Sequence, residues 1–318
     1  MKYAIMNGTG SYLPERQLAN TELETTLDTS DEWIFSRTGI RSRHVASVHE
    51  TTSFMASEAA KKALVASKLA PQDIDLIIVA TCTPDNFFPS VACYVQNALH
   101  IPRSIPAFDI GAACSGFIYA MDIAKQYITS GVAQHVLVVG SESMSRAVDW
   151  TDRATCVLFG DGAGAIILSA STEPGIMGSV LHAQYDDKKL LAYANMTEDN
   201  QKRPSVVMRG NEVFKLAVNI MGDIVDEVLA VTHLKKADIR WLIPHQANIR
   251  MIQAIAKKLS LPMSQVIVTI ERQGNTSAAS IPLAIDNAIQ HHHIKRGELL
   301  LLESFGGGTT WGAMVIRY

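Results

Sequence analysis

Apolar residues follow two alternating patterns along this chain. Short continuous runs such as Leu76–Ala80 (LIIVA), His135–Val139 (HVLVV) and Leu299–Leu302 (LLLL) have the length of strands buried on both faces. Between them lie longer amphipathic, Ala-rich stretches that read as helices. From Thr51 the pattern predicts a helix over 52–69, the strand Leu76–Ala80, a helix over 90–99 and the strand Ala107–Ile110. The turn GAACSG, a helix over 117–129 and the strand His135–Val139 running into GSES follow. From residue 211 the same order returns: a helix over 211–232, the strand Trp241–Ile243, the loop PHQAN and a helix over 248–259. Then come the strand Val266–Ile270, the turn RQGNTSAAS, a helix over 281–291 and the strand Leu299–Leu302 running into ESFGGG.

The same order at near-equal spacing is the mark of an internal duplication. It predicts an α/β protein of two similar halves, 1–172 and 173–318. Pseudo-twofold packing would bring equivalent turns to a shared centre, beside the strand ends where open α/β sheets bind ligands. Cys114 and Asn275 occupy equivalent turns, and His245 ends another strand. The polar stretch 183–206 reads as a flap over a site or, more blandly, as a solvated linker. The glycines at 8–10 read as a turn, and GDGAG at 160–164 as a tight turn between strands. Neither completes a dinucleotide or phosphate loop.

Composition narrows the function. With 318 residues and 47% apolar content the chain can bury a large core without disulfides or metal. Its 28 basic and 31 acidic side chains leave a net charge of -3, so no global basic field draws it to nucleic acid or membrane phosphate. Cys82, Cys93, Cys114 and Cys156 form no C-x-x-C or Cys/His ligand set, which excludes a zinc reading. No segment has the length and apolarity of a membrane span, and the N-terminus lacks a secretory pattern. A reduced, cytoplasmic setting is expected.

Cys114 lies among small residues where a strand gives way to a helix, so a substrate can reach the sulfur and the helix N-terminus should favour the thiolate. The other three cysteines read as inert buried hydrophobes. His245 alone reads as a structural histidine, and Asn275 beside glycine as a turn residue tolerating left-handed geometry. Together they make a Cys/His/Asn set suited to acyl transfer. The cysteine attacks a thioester, and His and Asn donate hydrogen bonds to one developing oxyanion. A glycine amide of the final FGGG run can complete an oxyanion hole. Cysteine hydrolases use the same residue types, and a hydrolase stands as the rival from another class. On the helix after His245, Arg250, Lys257 and Lys258 read as a solvated basic face, and His291–His293 as a polar helix end.

The chain resembles the β-ketoacyl-acyl carrier protein synthase III family of condensing enzymes over essentially its whole length. The resemblance runs through TSDEWI, RTGIR, the Cys114 segment, FGDGAGA, PHQAN, GNTSAAS and FGGGxxWG. It implies a thiolase-like five-layer αβαβα sandwich, a homodimer, and a decarboxylative condensation between acyl-coenzyme A and malonyl-acyl carrier protein. Both are substrates, and no resident cofactor or metal is implied. Carried over by position, Cys114 is the nucleophile and His245 and Asn275 support decarboxylation. Gly307 and Cys114 supply oxyanion-hole amides, and Phe305 lies close to the nucleophile. Thr29, Trp33, Arg37, Arg153, Gly210, Phe214, Ala247 and Asn248 hold coenzyme A, and Phe88 crosses the dimer to the partner's acyl pocket. The segment Gln246, Ala247, Asn248, Ile249 and Arg250, with Lys257 and Lys258, meets the carrier protein. Relatives making quinolone or polyketide-type products share these motifs. A thiolase proper would need a second cysteine near 303–308, which reads ESFGGG.

Overall fold

The computed structural model describes residues 2–194 and 204–318. Strand β1 (Tyr3–Tyr12) is followed by a small ladder of β2 (Gln17–Ala19) and β3 (Ser42–His44), with helices α1 (Asn20–Leu23) and α2 (Asp31–Thr38) between them. Helix α3 (Thr52–Ser67), β4 (Leu76–Ala80), α4 (Val91–Ala98), β5 (Ala107–Ile110), α5 (Gly116–Thr129), β6 (His135–Ser143) and β7 (Asp161–Ser171) come next. Then β8 (Ile176–Ala183), the short pair β9 (Leu191–Tyr193) and β10 (Val206–Met208), α6 (Gly210–Thr232), β11 (Trp241–Pro244) and α7 (Ile249–Lys258) follow. Helices α8 (Ile270–Gln273) and α9 (Ser280–Gln290) and the hairpin of β12 (Leu299–Gly306) and β13 (Thr310–Arg317) close the chain.

Two mixed sheets carry the architecture, in the orders β1-β7-β6-β4-β5 and β8-β13-β12-β11. Each starts with two antiparallel pairings and continues with a parallel one. Side chains alternate across the buried strands. Leu76, Ile78 and Ala80 join a central core with Leu300 and Leu302, in which α5 and α9 lie between the sheets. Ile77 and Val79 face α3 and α4 on one outer side, while Leu299 and Leu301 face α6 and α7 on the other. The result is five layers, αβαβα. This burial on both faces is why the strands read as unbroken apolar runs.

Four local expectations fail for identifiable reasons. Val266–Ile270 is not a regular strand. It makes one bridge, Val266 to Leu242, and α8 begins at Ile270. The Gln246 side chain occupies the backbone there, donating to Ile267 O (3.2 Å) and accepting from Thr269 N (2.8 Å), in place of a ladder. The glycines at 160–164 are no turn, because β7 already runs from Asp161. A Cβ on Gly164 would lie 2.7 Å from Leu283 N, so the glycine lets α9 approach the sheet. Gly8 and Gly10 likewise sit inside β1, where a Cβ would come within 2.5 and 2.4 Å of the α3 carbonyls of Ala63 and Ala59. Within 183–206, β9 and β10 pair and Leu190 is buried, so the stretch is no simple solvated linker. Its residues 195–203 lie outside the described residues.

Candidate active site

The strand ends converge as an open α/β sheet requires. Cys114 follows β5 in a 3-10 turn, Ala113–Ser115, entered through Ala113 in the left-handed region (φ 46°). The second sheet pins this turn. Ser304 Oγ donates to Cys114 O (2.8 Å), and Thr310 Oγ1 donates to Ala112 O (3.0 Å). A Cβ on Gly306 would lie 2.8 Å from Cys114 N, so only glycine lets β12 touch the nucleophile turn.

Cys114, His245 and Asn275 are 7%, 7% and 6% exposed, and all three line one cleft of about 320 Å³ together with Phe305. His245 Nδ1 lies 2.7 Å from Ser280 Oγ. That oxygen also accepts from Gln246 N (3.4 Å); with the Ser280 proton directed to Nδ1, the ring proton sits on Nε2 as a donor. Burial pushes the His245 pKa down to about 3, leaving a neutral imidazole. Asn275 Oδ1 accepts from Ser277 N (2.9 Å), which leaves its NH2 group as the free end. The left-handed residues of this turn are Gly274 and Ser277. Asn275 is therefore there for its amide and not for turn geometry.

The thiol departs from expectation. Burial pushes Cys114 up to about 12, outweighing a hydrogen bond from Ser277 that pulls the other way, and the buried Glu142 adds to the rise. A turn at the start of α5 does not by itself yield a resting thiolate.

The same cleft is lined by Trp33, Arg37, Arg153, Gly210, Phe214, Ala247, Asn248 and Arg250. Ser30 caps α2 by accepting from Trp33 N (3.1 Å), and Gly39 (φ 78°) ends that helix. The guanidinium carbons of Arg37 and Arg153 stand 4.4 and 4.6 Å from the Trp33 ring centroid, an aromatic–cation cluster at the exposed end of the cleft. Asn248 is already used, donating to Arg37 O (2.9 Å) and accepting from Arg250 N (2.8 Å) as the cap of α7.

Other expected residues lie elsewhere. Thr29 does not line the cleft, and its hydroxyl is buried without a partner among the described residues. Gly307 lines a second cavity of about 480 Å³ with Cys82, Ala113, Cys114, Met144 and Phe159, on another side of the thiol. Phe88 is 87% exposed beside the equally exposed Phe87. Gln246 is 1% exposed, and its side-chain amide donates to Pro244 O and Ile267 O. Ile249 packs under Gly39. Lys258, exposed at the end of α7, bonds Asp223 Oδ1 and Asn219 O of α6 through Nζ, both at 3.1 Å. Arg250 and Lys257 remain exposed.

Sequence reasoning missed Ser280, Ser277 and Glu142, whose roles depend on chain crossings that no local motif announces. It also read Cys82 as bland, although its thiol lies 3.2 Å from Glu142 Oε1. Among the described residues no cluster of three His, Cys, Asp or Glu side chains could hold a metal ion, and no helix is long and apolar enough to cross a membrane.

Two mixed sheets around a buried Cys/His/Asn cleft define a thiolase-fold condensing enzyme. Residues 108–184 match the profile of 3-oxoacyl-[acyl-carrier-protein] synthase III, and residues 229–318 match that of its C-terminal region. The β-ketoacyl-[acyl-carrier-protein] synthase III of Methylococcus capsulatus is 53% identical, with 100% of this chain and 99% of the relative covered. The crystal structure of 3-oxoacyl-[acyl-carrier-protein] synthase III from Aquifex aeolicus superimposes with a TM-score of 0.94 at 48% identity, covering 99% of this chain and 100% of that one. The priming β-ketosynthase of the R1128 polyketide pathway does so at 0.93 and 36% identity, over 99% and 96%. This chain belongs to the β-ketoacyl-acyl carrier protein synthase III family.

Proposed function

We propose that the protein starts fatty-acid chains by condensing an acyl group from acyl-coenzyme A, acetyl as the starter, with malonyl-acyl carrier protein. The observation that carries this reading is the cleft in which a buried thiol faces two neutral donors, His245 Nε2–H and the Asn275 amide. The coenzyme enters past Trp33, Arg37 and Arg153, and its acyl carbonyl is attacked by Cys114 to give an acyl-cysteine and free coenzyme A. Malonyl-carrier protein then occupies the cleft. Loss of carbon dioxide leaves a thioester enolate, whose oxygen His245 and Asn275 hold by donating hydrogen bonds. The enolate carbon attacks the acyl-cysteine and Cys114 leaves as thiolate, yielding β-ketoacyl-carrier protein. A neutral histidine suits this role, since the step needs a donor and no proton transfer. The substrates bring all the reacting groups, so no resident cofactor enters the scheme.

The two halves, 1–172 and 173–318, are read as a duplication, supported by the repeated strand order. The exposed Phe87 and Phe88 support a homodimer in which Phe88 reaches the partner's cavity, and a reducing cytoplasm suits a free thiol nucleophile. Arg250, lining the cleft, and the exposed Lys257 two turns further along α7 offer an attractive surface for an acidic carrier protein. Incubation with acetyl-coenzyme A and malonyl-carrier protein should give β-ketoacyl-carrier protein with one carbon dioxide per product. Release of free acid without dependence on malonyl-carrier protein would replace this reading with a hydrolase.

A further inference from the structure

The place of the Asn275 amide in the cleft is set by its backbone. Asn275 N donates to Leu158 O (2.8 Å), and Asn275 O accepts from Gly160 N (3.0 Å). Both main-chain groups of the residue are therefore tied to the segment that enters β7. Where that segment sits, the Asn275 side chain starts.

One side chain grips the segment from behind. Arg43, in the middle of β3, is fully buried, and among the described residues no Asp or Glu forms an ion pair with it. Its guanidinium instead donates to three stretches of chain. Nη2 reaches Val157 O (2.7 Å) and Asn20 Oδ1 (2.8 Å), and Nη1 reaches Leu18 O (3.1 Å). Val157 O is the carbonyl next to the one that receives Asn275 N. The far end of the grip is fixed too, since Asn20 Nδ2 donates to Ile40 O (2.6 Å) and to Asp31 Oδ1 (2.8 Å) at the start of α2. The stem of Arg43 is equally close. A Cβ on Gly160 or on Gly274 would lie 3.0 Å from Arg43 Cβ, so the chain on both sides of the Leu158–Asn275 contact rests on it. Just before β3, Arg41 N donates to Glu271 O (2.8 Å) and ties the strand to α8.

We propose that Arg43 is a positioning residue for decarboxylation, fixing the 157–160 segment and through it the Asn275 amide. The proposal rests on Asn275 being a donor to the enolate in the condensation. A buried cation with no carboxylate beside it is a costly way to fill space, and an apolar side chain of similar volume would do so more cheaply. Arg43 Nε adds to that cost, having no partner among the described residues. Burial lowers the guanidinium to about 10, which leaves it a cation at neutral pH. What the planar fork adds is geometry. Its donors hold three acceptors from three segments at fixed mutual distances, which neither an apolar residue nor a single ammonium group can do.

The test reads the two half-reactions separately. In a Cys114→Ala background, Arg43→Lys keeps the charge and loses the fork. It should slow carbon dioxide release from malonyl-carrier protein on the order of 10- to 100-fold, as a misplacement of about 1 Å can. With Cys114 intact, Arg43→Lys should be acylated by saturating acetyl-coenzyme A at close to the wild-type rate, because Asn275 plays no part in that step. Once the amide is gone, Arg43 has nothing to position. Adding Arg43→Lys to Asn275→Ala should therefore leave carbon dioxide release within about twofold of Asn275→Ala alone. Asn20→Ser removes one acceptor of the fork and should show the same split in smaller measure; it decides the matter if Arg43→Lys does not fold. Equal losses in acylation and decarboxylation would overturn the positioning role, as would additive losses with Asn275→Ala. So would decarboxylation at the parent's rate in Arg43→Lys. An Asn275→Ala variant that itself decarboxylates at the parent's rate would remove the enolate donor, and the role of Arg43 with it.

Discussion

Replacing His245 by alanine isolates the decarboxylation half of the reaction. In the proposed mechanism His245, 7% exposed, contributes one preorganised donor to the enolate oxygen. Removing one such donor costs about 10²–10³ in rate, or roughly 3–4 kcal/mol. The assay is carbon dioxide release from malonyl-carrier protein in a Cys114→Ala background, where acylation plays no part. The pH profile carries further information. With the ring held near 3, the imidazole is neutral from pH 5 to 8, and release should be flat there with no limb near the ordinary histidine value of about 6.5. A His245→Ala variant within about threefold of its parent, or a limb near pH 6.5, would refute the neutral-donor role.

The same burial affects stability. The folded pKa lies below the unfolded one, so below about pH 6.5 the unfolded chain binds a proton that the native state refuses. Stability then falls by about 1.4 kcal/mol per unit, or roughly 2 kcal/mol between pH 7 and 5. His245→Ala should lose this part of the acid sensitivity.

Four other outcomes follow from the geometry. Trp33→Ala should raise KM for acetyl-coenzyme A about tenfold or more while leaving KM for malonyl-carrier protein nearly unchanged, because the Arg37–Trp33–Arg153 cluster lines the cleft by which the coenzyme is proposed to enter; steady-state kinetics with each substrate varied decides it. Charge reversal at Arg250 and Lys257 should weaken use of malonyl-carrier protein several-fold and respond to salt. Lys258→Glu should instead lower thermal stability by setting a like charge against Asp223. Glu303 is buried with neither carboxylate oxygen bonded, and burial raises its pKa well above the ordinary value. The unfolded chain loses that proton above about pH 4.5 while the native state keeps it, so the native state is increasingly disfavoured as pH rises. Glu303→Gln should raise Tm, and by more at pH 8 than at pH 5.

The part of the molecule legible in the sequence was what repeats locally. Strands such as Leu76–Ala80 are buried on both faces and announce themselves as apolar runs. Strand-end turns point to Cys114, His245 and Asn275 as one set, and the structure gathers all three in one cleft. Edge strands and glycine-rich crossings were less readable. Val266–Ile270 has strand-like residues, yet a side-chain amide from Gln246 takes its hydrogen bonds. Gly164 and Gly10 look like turn residues but make room for helices far away in sequence. The state of the thiol was also hidden, since helix-end position is a local property whereas burial and Glu142 come from the packing of both halves. Gln246 and Lys258 stand on either side of α7, and long-range contacts give one to the backbone and the other to α6.

The central claim is that Cys114 carries the acyl group between two thioester substrates. Intact-protein and peptide mass spectrometry after incubation with acetyl-coenzyme A, before and after adding malonyl-carrier protein, tests it most directly. The account predicts one acetyl group on the peptide containing Cys114, none on Cys114→Ala, and its transfer into β-ketoacyl-carrier protein on addition of the second substrate. An acetyl group that appears on another residue, or that leaves only as free acetate, would contradict it.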